Sequence, residues 1–191
     1  MEVLTKIKEV ITDPSYFFDS ADKEHGIREA LIYLLVLGIV PSTLGVIAQF
    51  LIGSLLNPSG TDSAIFSLIF LPIGMIGAYI MLFIITFITT GILHVWIMLW
   101  GGTGDYSKTF NLFVYANTPN LLFSFIPLFG LVGWIWNLVL LVMATEKMHD
   151  VSRGKAIAIY VLPLVLIVLF SVLILAFALA ALSSMFLTPT A

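Results

Sequence analysis

The stretch from Ala64 to Trp100 contains no Asp, Glu, Lys or Arg. As one α-helix it measures roughly 55 Å at ~1.5 Å per residue, against a hydrocarbon core of ~30 Å. A chain with such a run is expected in lipid, where every backbone polar group must find a partner within the protein. Composition agrees. A mean hydropathy of +1.12, with 60% hydrophobic and 10% charged residues, leaves too little polar surface for a water-soluble domain. Two full spans joined by a turn need more residues than the run holds, and no polar turn interrupts it. One long helix is expected, kinked near Pro72–Gly77.

The eight Lys and Arg residues then fix the threading. Lys6, Lys8, Lys23 and Arg28 precede the first apolar run, Lys108 follows the second, and Lys147, Arg153 and Lys155 lie between the fourth and fifth. Five spans place all of them on one side. The opposite-side segments, around Gly53–Ser63, Ile126–Leu128 and Thr188–Ala191, carry none. Basic residues are retained on the cytoplasmic face. The expected fold is therefore an all-α polytopic membrane protein with five transmembrane helices, about 30–52, 64–100, 106–125, 129–144 and 156–187. Its N-terminus is cytoplasmic and its C-terminus lies on the opposite side.

Residues 1–29 read as a cytoplasmic, interfacial segment. Val3, Leu4, Ile7, Val10 and Ile11 recur at helical spacing, which predicts a short amphipathic helix on the membrane surface. Its charges exclude a cleavable signal, so the first span is expected to act as the insertion signal. Asp13 and Pro14 suit an N-cap and first helical position, followed by Tyr16, Phe17 and Phe18 at the headgroup boundary. A further helix is expected to start near Ser20 and run into the first span, which Pro41 interrupts. In the fifth span Ala176, Ala180 and Ser184 form a small-residue row suited to close helix contact.

The third span is the most polar. Asn117 lies ten positions before the turn at Pro127 and Asn137 ten after it, so the two amides should share a depth. Pro119 leaves a carbonyl near Tyr115 without its helical donor, and an amide of Asn117, Asn120 or Asn137 is placed to supply one. With His94 and Asn111, these residues make a candidate polar intramembrane zone. Two readings fit it: amides gluing helices together, which is the simpler, or a partly unwound helix lining the path of a small transporter or channel.

Other chemistry has little support. No cysteine is present, which removes disulfides and thiolate sites. His25, His94 and His149 lie apart without metal-ligand spacing, so no metal or cofactor is expected. His149, Asp150 and Ser152 read as a solvated loop, and Glu24 with Arg28 as an i,i+4 ion pair. Gly101-Gly102-Thr103-Gly104 lacks the Lys of a phosphate loop. No basic stripe exists to bind nucleic acid.

His94, Gly101-Gly102-Thr103-Gly104-Asp105-Tyr106, Tyr115-Ala116-Asn117-Thr118-Pro119, Ile126-Pro127 with Gly130, and His149 to Lys155 follow one another in order. In that order and hydropathy the chain resembles the Yip (Ypt/Rab-interacting protein) domain family. Asp13-Pro14 with Phe17-Phe18 is similar to the N-terminal signature of its prokaryotic members. The resemblance implies a five-span bundle in the cytoplasmic membrane of a bacterium or archaeon, with no catalytic residues. Eukaryotic members are associated with Rab GTPases through a longer cytoplasmic N-terminal region. With only about Met1–Glu29 there, a GTPase partner is not expected. The expected function is non-enzymatic: organising membrane or protein partners, or a second copy, through a cytoplasmic surface of Asp13, Pro14, Phe17, Phe18, Gly101, Gly102 and Gly104.

Overall fold

A computed structural model of the chain describes residues 2–56 and 61–187. Every regular element among them is helical. α1 (Glu2–Thr12) and α2 (Pro14–Ala21) precede α3 (Arg28–Leu37), α4 (Ile39–Leu56) and the long α5 (Thr61–Leu99). The second half holds α6 (Tyr106–Ala116), α7 (Thr118–Phe123), α8 (Pro127–Met148) and α9 (Arg153–Leu187). Among the described residues, four stretches are long and apolar enough to cross a membrane: Arg28–Leu56, Ile69–Leu99, Leu128–Met148 and Arg153–Ser183.

The expected long second helix is continuous, running through Pro72. The first span breaks at Gly38, three residues before the expected Pro41. Pro41 has no N–H and its ring crowds the carbonyl one turn earlier, so the discontinuity falls on the N-terminal side of the ring. Gly38 is where this span meets α5. A Cβ there would stand 2.6 Å from Leu82 Cδ2 and 2.7 Å from the Leu34 carbonyl oxygen. One turn away, the Tyr79 hydroxyl donates to the Leu35 carbonyl at 2.7 Å.

The expected third span is not one helix but two, α6 and α7, hinged at Asn117. Pro119 is again responsible, since it cannot donate to the carbonyl four residues back. α6 is the central helix of the molecule. Residues 109–112 and 114–116 are buried, and it packs against α2, α3, α5, α7 and α8.

The N-terminal helices share this core. α1 packs on α2 and α7, and α2 on α8 and α6. Val10, Phe17, Phe18 and Ala21 join one hydrophobic cluster with Tyr33, Tyr115, Leu140 and Ala144. Tyr115 stands at its centre, edge-on to Phe17 at 5.0 Å and to Tyr33 at 5.1 Å. No break in the core falls at residue 30.

Between α2 and α3 the chain turns instead of continuing as a helix from Ser20, with Gly26 at φ +74°. Burial is confined to one end of the molecule. Along α9, Ala156 and Ile159 are buried, whereas residues 161–183 are half-buried or exposed, Ala176 and Ala180 included. The side chain of Ser184 and the segment Thr188–Ala191 lie outside the described residues, as do positions 57–60 of the expected outer loop.

Candidate functional site

The glycine-rich loop after α5 and the loop after α8 form one unit. Thr103 donates its backbone N–H to the His149 carbonyl at 3.1 Å, and its hydroxyl to Asp150 Oδ2 at 3.2 Å. Asp150 adopts φ +53°, a left-handed conformation that Asp tolerates better than most residues. Gly102 and Gly104 allow the loops to touch. A Cβ on Gly104 would lie 2.7 Å from His149 Nδ1 and 2.9 Å from the Met148 carbonyl, and one on Gly102 would lie 2.6 Å from Ile97 Cγ2. Gly101 takes φ +86°. Of these three glycines only Gly101 is exposed.

His149 is fully buried, not solvated. Its Nδ1 accepts the Gly104 N–H at 3.2 Å, which places the ring proton on Nε2. Nε2 donates to Thr109 Oγ1 at 3.0 Å, and the same oxygen is hydrogen-bonded to His94 Nδ1 at 2.8 Å. A connected chain of hydrogen bonds thus runs from the loop backbone through His149 and Thr109 to His94. Burial, with the neighbouring charges of His94 and Lys108, pushes the His149 pKa down to about 4. A second proton on Nδ1 would also break the Gly104 bond. Asp105 caps α6, accepting from the Lys108 N–H at 3.0 Å. That bond, and one from the Ser107 hydroxyl, hold its carboxyl below the usual range.

A second polar group ties the N-terminal segment down. Lys6 Nζ pairs with Glu24 Oε1 at 2.7 Å and donates to the Tyr115 hydroxyl at 3.0 Å, which itself donates to Glu24 Oε2 at 2.7 Å. Glu24 therefore pairs with Lys6, not with Arg28 as local spacing suggested. Lys108 pairs with Asp22 at 2.6 Å and Lys147 with Asp19 at 2.5 Å. Asn111 donates to the Gly26 carbonyl at 3.0 Å.

The polar residues expected in mid-membrane divide between these surroundings. Asn137 Nδ2 donates to the Ala116 carbonyl at 2.8 Å, beside the expected Tyr115 carbonyl, which accepts from the Thr118 hydroxyl at 2.6 Å. Thr118 Oγ1 also meets the Tyr33 hydroxyl at 2.7 Å, and Asn120 donates to Asn117 Oδ1 at 3.0 Å. Asn117, Pro119, Asn120 and Asn137 form one zone. His94 and Asn111 belong elsewhere.

On the expected docking surface, Asp13 accepts from the Tyr16 N–H at 3.2 Å as the N-cap of α2, with Pro14 following it. Phe17 and Phe18 are buried at 3% and 0% exposure. Both are buried because α2 lies on α6 and α8, with Phe17 edge-on to Tyr115, so neither side chain is presented on an outer surface. Tyr16, on the other side of α2, is exposed. Sequence reasoning passed over Thr109, Thr118, Tyr115 and Lys6. Thr109 lies four positions after the Asp105 cap, and nothing local distinguishes it.

Long helices with apolar side chains exposed around most of their surface, and polar groups bonded internally, define an integral membrane protein of the all-helical class. A family model, the Yip1 domain, matches residues 8–176. The chain belongs to the Yip1 domain family. No curated protein and no solved structure matches it.

Proposed function

We propose that the chain is a non-enzymatic, five-span protein that organises protein or lipid partners through a pre-ordered cytoplasmic face. The observation that carries this reading is the set of ion pairs Lys6–Glu24, Lys108–Asp22 and Lys147–Asp19. The first ties α1 to the turn after α2, and the other two hold α2 and that turn against α6 and α8. On the segment so held, Leu4 and Tyr16 stay 73% and 66% exposed. Apolar groups presented by an ordered charged surface suit a partner or the headgroup region.

The internal bonds of Asn117, Asn120 and Asn137 favour this reading over a conducting path. A photocrosslinker at Ser15, exposed beside Tyr16 on α2, should capture a protein partner or a second copy in native membranes. Leu4→Ser with Tyr16→Ala should reduce that partner's recovery several-fold. Unchanged recovery by a stably folded double variant rejects the surface.

The topology proposed has α6 and α7 together as the third crossing, with an N-terminus in the cytoplasm and a C-terminus opposite. Residues 106–123 cover roughly 27 Å at ~1.5 Å per residue, close to the hydrocarbon thickness of ~30 Å. Resemblance to compact prokaryotic members supports the cytoplasmic membrane of a bacterium or archaeon. Because the chain lacks cysteine, single cysteines at Ser59 and Ala191 should react with an impermeant thiol reagent outside intact cells. Those at Asp105 and Ser152 should react only after permeabilisation. Labelling of Ala191 and Asp105 from the same side rejects the threading.

A further inference from the structure

We propose that the groove between α5, α8 and α9 binds an acyl chain of an anionic phospholipid whose phosphate is held by Lys155. The groove has a volume of about 950 Å³, at the upper end of the ~300–1,000 Å³ typical of small-molecule sites. Ile92, Leu138, Leu164 and Leu166 give it an apolar wall. Three of the polar groups on its lining are already committed. Trp96 Nε1 donates to the Ile159 carbonyl at 2.9 Å, Asn137 Nδ2 to Ala116, and the Tyr160 hydroxyl meets Thr145 Oγ1 at 2.6 Å. An occupant therefore meets mostly hydrocarbon along its length, with the Thr89 hydroxyl and the Trp134 indole as the remaining donors, which suits an alkyl chain.

Charge at the mouth selects the headgroup. Lys155 lies one turn before Ile159 on α9, and its Nζ donates to the Trp100 carbonyl at 3.3 Å, at the end of α5. Lys6, Lys108, Lys147 and Arg153 each have a carboxylate partner. Lys155 has none among the described residues. An ammonium carries three donors, so two remain for a phosphate. Trp96 and Trp100, with ring centroids 5.9 Å apart, place amphipathic rings beside it, as suits headgroup level. This site is independent of the partner surface on α1 and α2.

Trp96 and Trp134 line the groove and report on it directly. The full chain is reconstituted in phosphatidylcholine nanodiscs containing a small share of either phosphatidylglycerol or phosphatidylcholine with brominated chains. Tryptophan quenching should reach half-maximum at about five-fold less brominated phosphatidylglycerol, the equivalent of ~1 kcal/mol for one lysine near an anionic surface. Lys155→Gln should bring the two curves together. A Cβ at Gly91, on the groove wall, meets nothing within 4 Å. Gly91→Leu therefore fills the space while favouring the helix, and should lower quenching by both lipids. Equal curves for the wild-type chain overturn the proposal, as does wild-type behaviour in either variant.

Discussion

The backbone N–H of Gly104 points into the ring of His149, 3.2 Å from Nδ1, at a separation that excludes any side chain on residue 104. Gly104→Ala should force the loops after α5 and α8 apart. Overpacking of this kind costs about 1–3 kcal/mol. Thermal unfolding of the detergent-solubilised variant should show a lower midpoint, whereas Gly154→Ala, whose Cβ meets nothing, should stay near wild type.

Acidification should weaken the same junction. The His149 pKa is depressed from 6.5 to about 4 in the folded chain, so between those values the unfolded state binds more protons. The contribution is complete above pH 6.5 and is lost as pH falls towards 4. It amounts to about 3 kcal/mol at most. Stability measured from pH 7 to pH 4 should fall more steeply for the wild type than for His149→Gln. Parallel profiles would remove His149 as the cause.

Asn137→Leu leaves the Ala116 carbonyl without its 2.8 Å donor at a place where hydrocarbon offers no substitute. A loss of about 1–3 kcal/mol is expected. Asn120→Leu, which removes a side chain to side chain bond, should cost about 0.6 kcal/mol, the average for such pairs in membranes. Solute or ion flux across liposomes should stay at background for wild type and both variants. Flux present in the wild type and abolished in Asn137→Leu would favour the transport reading.

Lys6→Met strips the counter-ion from Glu24, whose side chain is only 20% exposed. The loss should approach the lower end of the ~3–5 kcal/mol seen when a buried pair is broken. Limited proteolysis should then cut within residues 12–27 at a rate at least ten-fold above wild type. Lys8→Met, at an exposed position of α1, should leave the rate unchanged.

Long-wavelength features were legible in the sequence. The uncharged run before Trp100 became one helix, Asp13 and Pro14 opened α2, and Asn137 met the carbonyl of Ala116, next to the one that Pro119 exposes. Each depends on local chemistry or on a hairpin of known length. Phe17, Phe18 and His149 were misjudged for the opposite reason. Their burial depends on partners far along the chain: Tyr115 for Phe17, Gly104 and Thr109 for His149. The glycines at 102 and 104 signalled a loop but not what pressed against it. The third span carried its own warning in Pro119, yet only the local bond of Thr118 and the tertiary bond of Asn137 show how a broken helix keeps its carbonyls satisfied.

The pairing of Asp19 with Lys147 spans 128 positions, and that of Lys6 with Tyr115 spans 109. During synthesis the amino-terminal helices leave the ribosome long before either partner exists. The Lys6–Glu24 pair can form early, but Asp19 must wait for its partner until α8 has been translated, since chains assemble in the order in which they are made. The closing of α2 onto α8 is then a late event, made against helices that are already in place.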